Sequence, residues 1–342
     1  KLIHYPHNSC HIMTAVDSGG SSATLRQAFS MPSIGDIRAR LMDLADQSVQ
    51  GNPEMYRLFV YRFPTEAKNE TLLAELQTMA AGRHRLVSAI PDPLRKIVRQ
   101  YLKIFLARMP QGFNLLGASI GNLVLTAGYL DNGHHLDSVI FLFSKLVEAR
   151  GTVRPVLNRY LHLGALLDNG QVVVGQHLLT GKEVPPLQNK IHHLFLTMTT
   201  SPTSKGEVWP RVRNKLTKLI NSAQLICYPM GSFYSSVIAS LLPEGVTEAI
   251  QKNVCPKIYI PSMGQDPETV GLSLMEQIET LLRYLKKNNP KIPTHQVLNC
   301  VLVDSKNGGY SGEVDPNRLM DMGIQLLDCP LVSEESTPYC EP

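Results

Sequence analysis

The sequence predicts an α/β fold: a mostly parallel sheet covered by helices, with a helical insertion and a β-hairpin. Three observations carry that expectation. Short runs rich in β-branched and aromatic residues alternate with longer stretches of helical periodicity, the grammar of strands joined by crossover helices. Glycine- and serine-rich segments follow several of those runs, and open sheets of this kind bind ligands at the carboxyl ends of their strands. The 342 residues are 43% hydrophobic and 18% charged, enough apolar material for a large core and too little charge for a disordered chain.

Taken in chain order, the first strand is expected at residues 11–16, followed by Asp17-Ser-Gly-Gly-Ser-Ser22 and a helix over residues 23–29. A second helix start follows Pro32 and Ser33 at Gly35-Asp-Ile-Arg38. Residues 52–112 read as almost wholly helical, with Leu94, Ile97, Val98, Tyr101, Leu102 and Phe105 on one stripe of a helix over 94–109. The opposite face carries Arg95, Lys96, Arg99 and Lys103 and reads as a solvated face. Residues 137–143 read as a strand, and Asp168-Asn-Gly170 between two apolar runs reads as a hairpin turn. Strands are then expected at 224–228, 257–261 and 296–303, with helices at 235–252 and 272–287. The polar tail, 332–342, is expected to be poorly ordered.

Four segments can carry chemistry. In Asp17-Ser-Gly-Gly-Ser-Ser22 the glycines Gly19 and Gly20 let backbone amides turn inward. The hydroxyls of Ser21 and Ser22 add donors, and the following helix adds positive potential, which together make an anion nest. The alternative is a plain turn with Ser22 as N-cap. Asp36 reads first as a cap, second as a ligand to a metal or hydroxyl, with Arg38 or Arg40 as counter-charge. Gly117-Ala-Ser-Ile-Gly121 fits a nucleophile elbow with Ser119 as nucleophile and Asp266 or Asp304 with His295 as partners. Its rival is a ligand-cradling helix start that uses Ser119, Gly121 and Asn122. Met230-Gly-Ser-Phe-Tyr-Ser-Ser236 repeats the design, so Gly231, Ser232, Tyr234 and Ser235 are expected around a diphosphate.

Several classes are disfavoured. The net charge of +4 is small and the basic residues are spread out, so no nucleic-acid platform is expected. No run reaches the eighteen or so apolar residues of a membrane helix, and residues 1–10 lack a signal-peptide core, so a cytoplasmic protein with no membrane partner is expected. Six scattered cysteines without CxxC pairs read as reduced thiols, with a Cys329–Cys340 disulfide as the lesser alternative. His4, His7 and His11 are loosely spaced, and the doublets at 134–135 and 192–193 point apart, so no transition metal is expected. Magnesium bridging phosphates needs only one or two carboxylates, for which Asp17 and Asp36 are available.

With these segments in view, the chain resembles the CofD/YvcK family. The match runs through Asp17-Ser-Gly-Gly-Ser-Ser-Ala-Thr-Leu-Arg26, Pro32-Ser-Ile-Gly-Asp-Ile-Arg38, Gly117-Ala-Ser-Ile-Gly-Asn-Leu123, Arg154-Pro-Val-Leu-Asn-Arg159, Lys190-Ile-His-His-Leu-Phe-Leu-Thr197 and Met230-Gly-Ser-Phe-Tyr-Ser-Ser-Val-Ile238. The resemblance implies one Rossmann-like, three-layer αβα domain over residues 1–331. It implies a nucleotide-linked ligand: a guanosine diphospho-lactate in the transferase branch or a UDP-sugar in the YvcK-like branch. It also adds Asn158 and Arg159 to the ligand-binding set, and analogy adds a homodimer. Two positions depart from the family: Ser18 stands in place of a second aspartate, and Ala118 in place of the histidine of a Gly-His-Ser motif. Members usually begin with a strand and a Gly-Gly-Gly-Thr-Gly-type loop, which would end just before Lys1, so part of the site is expected to lie outside this chain.

Two functions follow. A transferase would move a phospho-acyl group from a nucleoside diphosphate donor to an acceptor hydroxyl, with Asp17 or Asp36 as catalytic carboxylates and Asp17 on magnesium. A binding protein would sense a UDP-sugar in the same pocket and act as a metabolic regulator. The serine hydrolase stands third, because the resemblance explains the Gly-x-Ser-x-Gly match without a triad.

Overall fold

The structure is a computed structural model that describes residues 9–48, 51–181, 183–201, 206–264 and 266–332. Residues 333–342 of the expected tail, with Cys340, and His4 and His7 lie outside the described residues. The chain divides into two units, Lys1–Tyr160 and Leu161–Pro342.

In the first unit β1 (Cys10–Met13) and β2 (Thr152–Pro155) pair in parallel, with Met13 opposite Pro155. Between them run α1 (Gly20–Phe29), α2 (Gly35–Leu44), α3 (Pro53–Val60), α4 (Asn69–Ala80), α5 (Arg85–Ser88), α6 (Leu94–Arg108), α7 (Ile120–Asp131) and α8 (Leu136–Leu146). The helical stretch expected from residue 52 is thus α3 to α6. On α6 the expected stripe faces inward: Val98, Leu102 and Phe105 are fully buried, and Leu94, Ile97 and Tyr101 pack beside them. The outer face is solvated, with Arg95 paired to Asp92 at 3.0 Å. The α7 helix is buried from Ile120 to Tyr129, so these helices wrap around it as one core that includes Leu76, Val124 and Phe143.

The strand expected at 137–143 is the helix α8. Its Leu136, Val139, Ile140, Phe143 and Leu146 are buried, spaced as one helical stripe, so burial against α7 overrides the strand-like composition. No strand precedes Gly117 either; only a single bridge joins Ser119 to Arg62.

The second unit holds two sheets. The hairpin appears as β3 (His162–Leu167) and β4 (Val172–Val174), and β5 (Ile191–Thr197) and β6 (Glu207–Val208) extend it antiparallel in the order β4-β3-β5-β6. A short α9 (Gln176–Leu179) and α10 (Asn214–Asn221) follow in the chain. The other sheet is wholly parallel, in the order β10-β9-β8-β7, with β7 (Ile226–Tyr228), β8 (Lys257–Tyr259), β9 (Cys300–Val303) and β10 (Gln325–Asp328). The helix expected at 235–252 is broken: a π-helical turn, Phe233–Ile238, runs into α11 (Ala239–Leu241), and Pro243 separates it from α12 (Val246–Lys252). A Ser273 cap, returned by Glu276, starts α13 (Leu274–Leu285), and Asp315 caps α14 (Pro316–Asp321). The parallel strands and interleaved helices make the α/β architecture that the pattern predicts and the Rossmann-like fold that the resemblance implies. Among the described residues, five cysteines are free thiols, and no helix is long and apolar enough to cross a membrane.

Candidate functional site

Three helices of the first unit begin at one place. The α1 helix starts at Gly20, three residues earlier than expected, so Ser21 and Ser22 lie in its first turn and the N-cap is Gly19, not Ser22. The Asp17 carboxylate accepts the Gly19 amide at 3.0 Å and the Ser33 hydroxyl at 3.4 Å, which fixes the turn from the end of β1 into α1. The Ser21 hydroxyl accepts the Ser119 amide at 3.2 Å and the Asn122 side-chain amide at 3.4 Å, so the first turns of α1 and α7 touch.

Glycines set the other two approaches. A Cβ on Gly35, the first residue of α2, would lie 2.2 Å from Ser22 Oγ and 2.9 Å from Asp17 Oδ2. A Cβ on Gly121 would lie 2.6 Å from the Phe59 carbonyl oxygen and 2.8 Å from Arg38 Cδ. Only a residue without a side chain lets α1, α2 and α7 close to this distance. Each helix start brings amides that lack an intrahelical acceptor, and each dipole points its positive end at the junction.

Within the junction several polar atoms have no protein partner. Ser119 caps α7 by position, yet its hydroxyl makes no cap hydrogen bond. Ser119 Oγ, Asn122 Oδ1, Thr126 Oγ1 and Arg38 Nε are buried without a hydrogen bond among the described residues. Ser119, Asn122 and Thr126 are 0%, 1% and 0% exposed and Arg38 is 9% exposed. Buried polar groups are satisfied in nearly all folded proteins, so such a cluster marks a place where something else completes the bonding. Arg38 spends one bond on the Phe59 carbonyl at 3.4 Å. Burial, helped by the Arg62 charge, lowers its pKa, while Asp43 and Asp36 oppose that shift. Asp36 sits in the first turn of α2 without capping it; the N-cap is Ile34.

Because β1 and β2 are parallel, the loops that follow them leave the same edge. Arg26 ties the two together: its guanidinium donates to the Val16 and Asp17 carbonyls, both at 2.7 Å, and stands 5.2 Å from the Tyr160 ring centroid. Asn158, on the second loop, donates to the His134 carbonyl at 2.9 Å and leaves Oδ1 buried without a partner. Arg159 is exposed beside it.

The helix start at residue 233, in the second unit, is different. Glu268 accepts the Tyr234 amide at 2.8 Å, the Ser235 amide at 2.7 Å and the Ser235 hydroxyl through a short hydrogen bond. Asp266 accepts the Phe233 amide at 2.7 Å. The donors expected to surround a diphosphate therefore already face two carboxylates. Tyr234 is buried, and its hydroxyl donates to the Ile191 carbonyl at 3.2 Å rather than facing a ligand. Glu268 is 3% exposed, and burial, then the Asp266 charge, raises its pKa to about 7 against the pull of the Ser235 and Tyr234 hydrogen bonds. Of the predicted set, Gly231 precedes this turn and Ser232 is its N-cap, with no side-chain cap hydrogen bond.

Thus the structure brings Asp17, Gly19, Gly20, Ser21, Ser22, Arg38, Ser119, Gly121 and Asn122 together and assigns Ser235 to an internal carboxylate. Sequence reading missed Thr126, one turn beyond Asn122 on α7, and missed Asp266 and Glu268 as caps. The spacing of an acid pair two residues apart in a loop was the signal for the latter. The triad finds no support: Ser119 Oγ has no partner, Asp266 is engaged at Phe233, and Asp304 is held by Asn307 and the Leu331 amide. Among the described residues no group of three or more His, Cys, Asp and Glu could hold a metal ion.

Known proteins are similar to this chain. A family model described as 2-phospho-L-lactate transferase CofD matches residues 1–332. The gluconeogenesis factor of Halalkalibacterium halodurans is 27% identical over 280 residues, which is 81% of this chain and 66% of the relative. That of Bacillus subtilis is 26% identical over 285 residues, 83% of this chain and 69% of the relative. A crystal structure of a UPF0052-family protein from Bacillus halodurans superposes with a TM-score of 0.68 at 23% identity, covering 97% of this chain and 88% of the other.

Proposed function

We propose that this chain, which belongs to the CofD family, binds a nucleoside-diphosphate-linked ligand by its phosphates where α1, α2 and α7 begin. The observation that carries the reading is the pair of buried donors without partners among the described residues, Ser119 Oγ and Arg38 Nε, at a junction of three helix N-termini. Helix starts and a guanidinium favour an anion, and phosphate oxygens supply the acceptors that the donors lack. Asn158 and Arg159, on the neighbouring strand-end loop, extend the same cradle.

Asp17 retains lone pairs beyond its bonds to Gly19 and Ser33, so it suits a magnesium ion that the phosphates help to hold. Such an ion would neutralise charge on the diphosphate. The residues of the chain then orient the donor and exclude water; an acceptor hydroxyl would form the new ester bond at the distal phosphorus while the bond to the bridging oxygen breaks and the nucleoside monophosphate leaves, with Asp36 as second carboxylate to take the hydroxyl proton. A second reading, a UDP-sugar-binding regulator, is favoured by Ser18, which removes one carboxylate from the turn, and by the names of the curated relatives.

Thermal unfolding with GDP, UDP and UDP-N-acetylglucosamine, each with and without magnesium, tests both. A ligand at a hundred times its dissociation constant adds about 2.7 kcal/mol. A magnesium-dependent shift with GDP supports the transferase, and a magnesium-independent shift with the UDP-sugar supports the regulator. No shift with any of them rejects the cradle.

A further inference from the structure

A cavity of about 360 Å³ opens in the second unit, and no residue of the phosphate cradle lines it. Its floor is carbon, from Leu166 on β3, Leu242 after α11 and the Tyr284 ring on α13. One wall is Trp209, 48% exposed. Its volume falls within the range of small-molecule pockets.

The charges around it are unequally matched. His192 lies 3.6 Å from Asp168 and His193 lies 3.1 Å from Glu207, contacts that are ion pairs only when the imidazoles are protonated. Arg283 and Lys287, one turn apart on the α13 side, form no ion pair with a described carboxylate. Arg283 donates to the His192 carbonyl at 3.3 Å and lies 5.5 Å from the Tyr284 ring centroid. Lys287 donates to the Leu241 and Leu242 carbonyls at 3.1 and 2.6 Å and stands 5.1 Å from the Trp209 ring centroid. Glu207, Glu244 and Glu248 act on Lys287 only from beyond contact distance. Two cations that have carbonyl partners but no ion-pair partner among the described residues, set over an aromatic and aliphatic floor, suit an anion attached to a flat apolar body.

We propose that this cavity is a binding site for a small planar organic anion, an aryl carboxylate or an aryl phosphate. The ring lies against Trp209, and the anionic group is held by Arg283 and Lys287.

Trp209 is the chain's single tryptophan, so its emission reports on this cavity alone. The full chain is titrated with benzoate and with phenyl phosphate, and with benzyl alcohol and inorganic phosphate as controls. The proposal expects a saturable emission change with at least one aryl anion, the responding one identifying the acid class. That affinity should weaken about tenfold in Arg283→Gln, whose exposed side chain is dispensable for folding. Lys287 also caps α11, so Arg283 is the safer variant. The proposal is overturned if neither aryl anion gives a saturable change at millimolar concentration, if Arg283→Gln binds as the parent does, or if benzyl alcohol or inorganic phosphate gives the same response.

Discussion

Two helix starts with the same serine and glycine grammar are filled in opposite ways. At the start of α7 the Ser119 hydroxyl is buried without a partner among the described residues, whereas at residue 233 two amides and the Ser235 hydroxyl converge on Glu268. Among the described residues the chain supplies its own carboxyl group at the second and none at the first. A hydroxyl-rich helix start therefore announces an anion without saying whose it is, and the answer lies in the segment packed opposite. At residue 233 that segment carries Asp266 and Glu268; at α7 it carries Ser21 and Arg38.

The contrast yields predictions of decreasing size. Glu268→Ala should be the most damaging, because it strands the Tyr234 and Ser235 amides and the Ser235 hydroxyl; denaturant unfolding should show a loss of about 3 kcal/mol or more. A loss below about 1 kcal/mol would mean that the contact is incidental.

The pH dependence sharpens the same point. Glu268 is raised from an ordinary 4.5 to about 7, so its contribution to stability is complete below about 4.5 and is lost as pH rises to about 7, by at most about 3 kcal/mol. His11, in the first unit, is lowered from 6.5 to about 4 by burial and then by Arg40, so its contribution is complete above about 6.5 and is lost as pH falls to about 4. Stability measured from pH 4 to 8 should thus be nearly flat in the parent. It should rise with pH in Glu268→Gln and fall with pH in His11→Gln. An unchanged profile in Glu268→Gln would contradict the assignment of the carboxylate.

Gly121→Ala should cost about 1 to 3 kcal/mol, since its methyl group meets the Phe59 carbonyl and the Arg38 side chain. It should also weaken nucleotide binding in calorimetry by pushing Arg38 away. The smallest effect on stability is the sharpest test of the comparison. Ser119→Ala should change unfolding free energy by no more than about 0.5 kcal/mol, because its hydroxyl has no partner among the described residues, while Ser235→Ala should cost about 1 to 2 kcal/mol. Equal costs would erase the distinction.

Much of this was legible in the chain because it is local. Glycine, serine and the first helical residue at 17–22 announce the turn into α1, the stripe on α6 announces its buried face, and Asp168-Asn-Gly170 announces the hairpin. Residues 137–143 misled because valine, isoleucine and phenylalanine there resemble a strand until the burial of Leu136 and Leu146 completes a helical stripe. The pairing of Ser21 with Ser119 and of Ser235 with Glu268 spans 98 and 33 residues, and no local pattern specifies which distant side chain meets a helix start. Which of two similar loops stays available to a ligand is therefore a tertiary fact.

The most direct measurement follows backbone amide resonances during titration of the full chain with pyrophosphate. Saturable shifts are expected at Ser21, Ile120, Gly121 and Asn122, with Tyr234 and Ser235 unmoved. Shifts at Tyr234 and Ser235 with the α1 and α7 amides unchanged would contradict this, and would place the phosphate where Glu268 now sits.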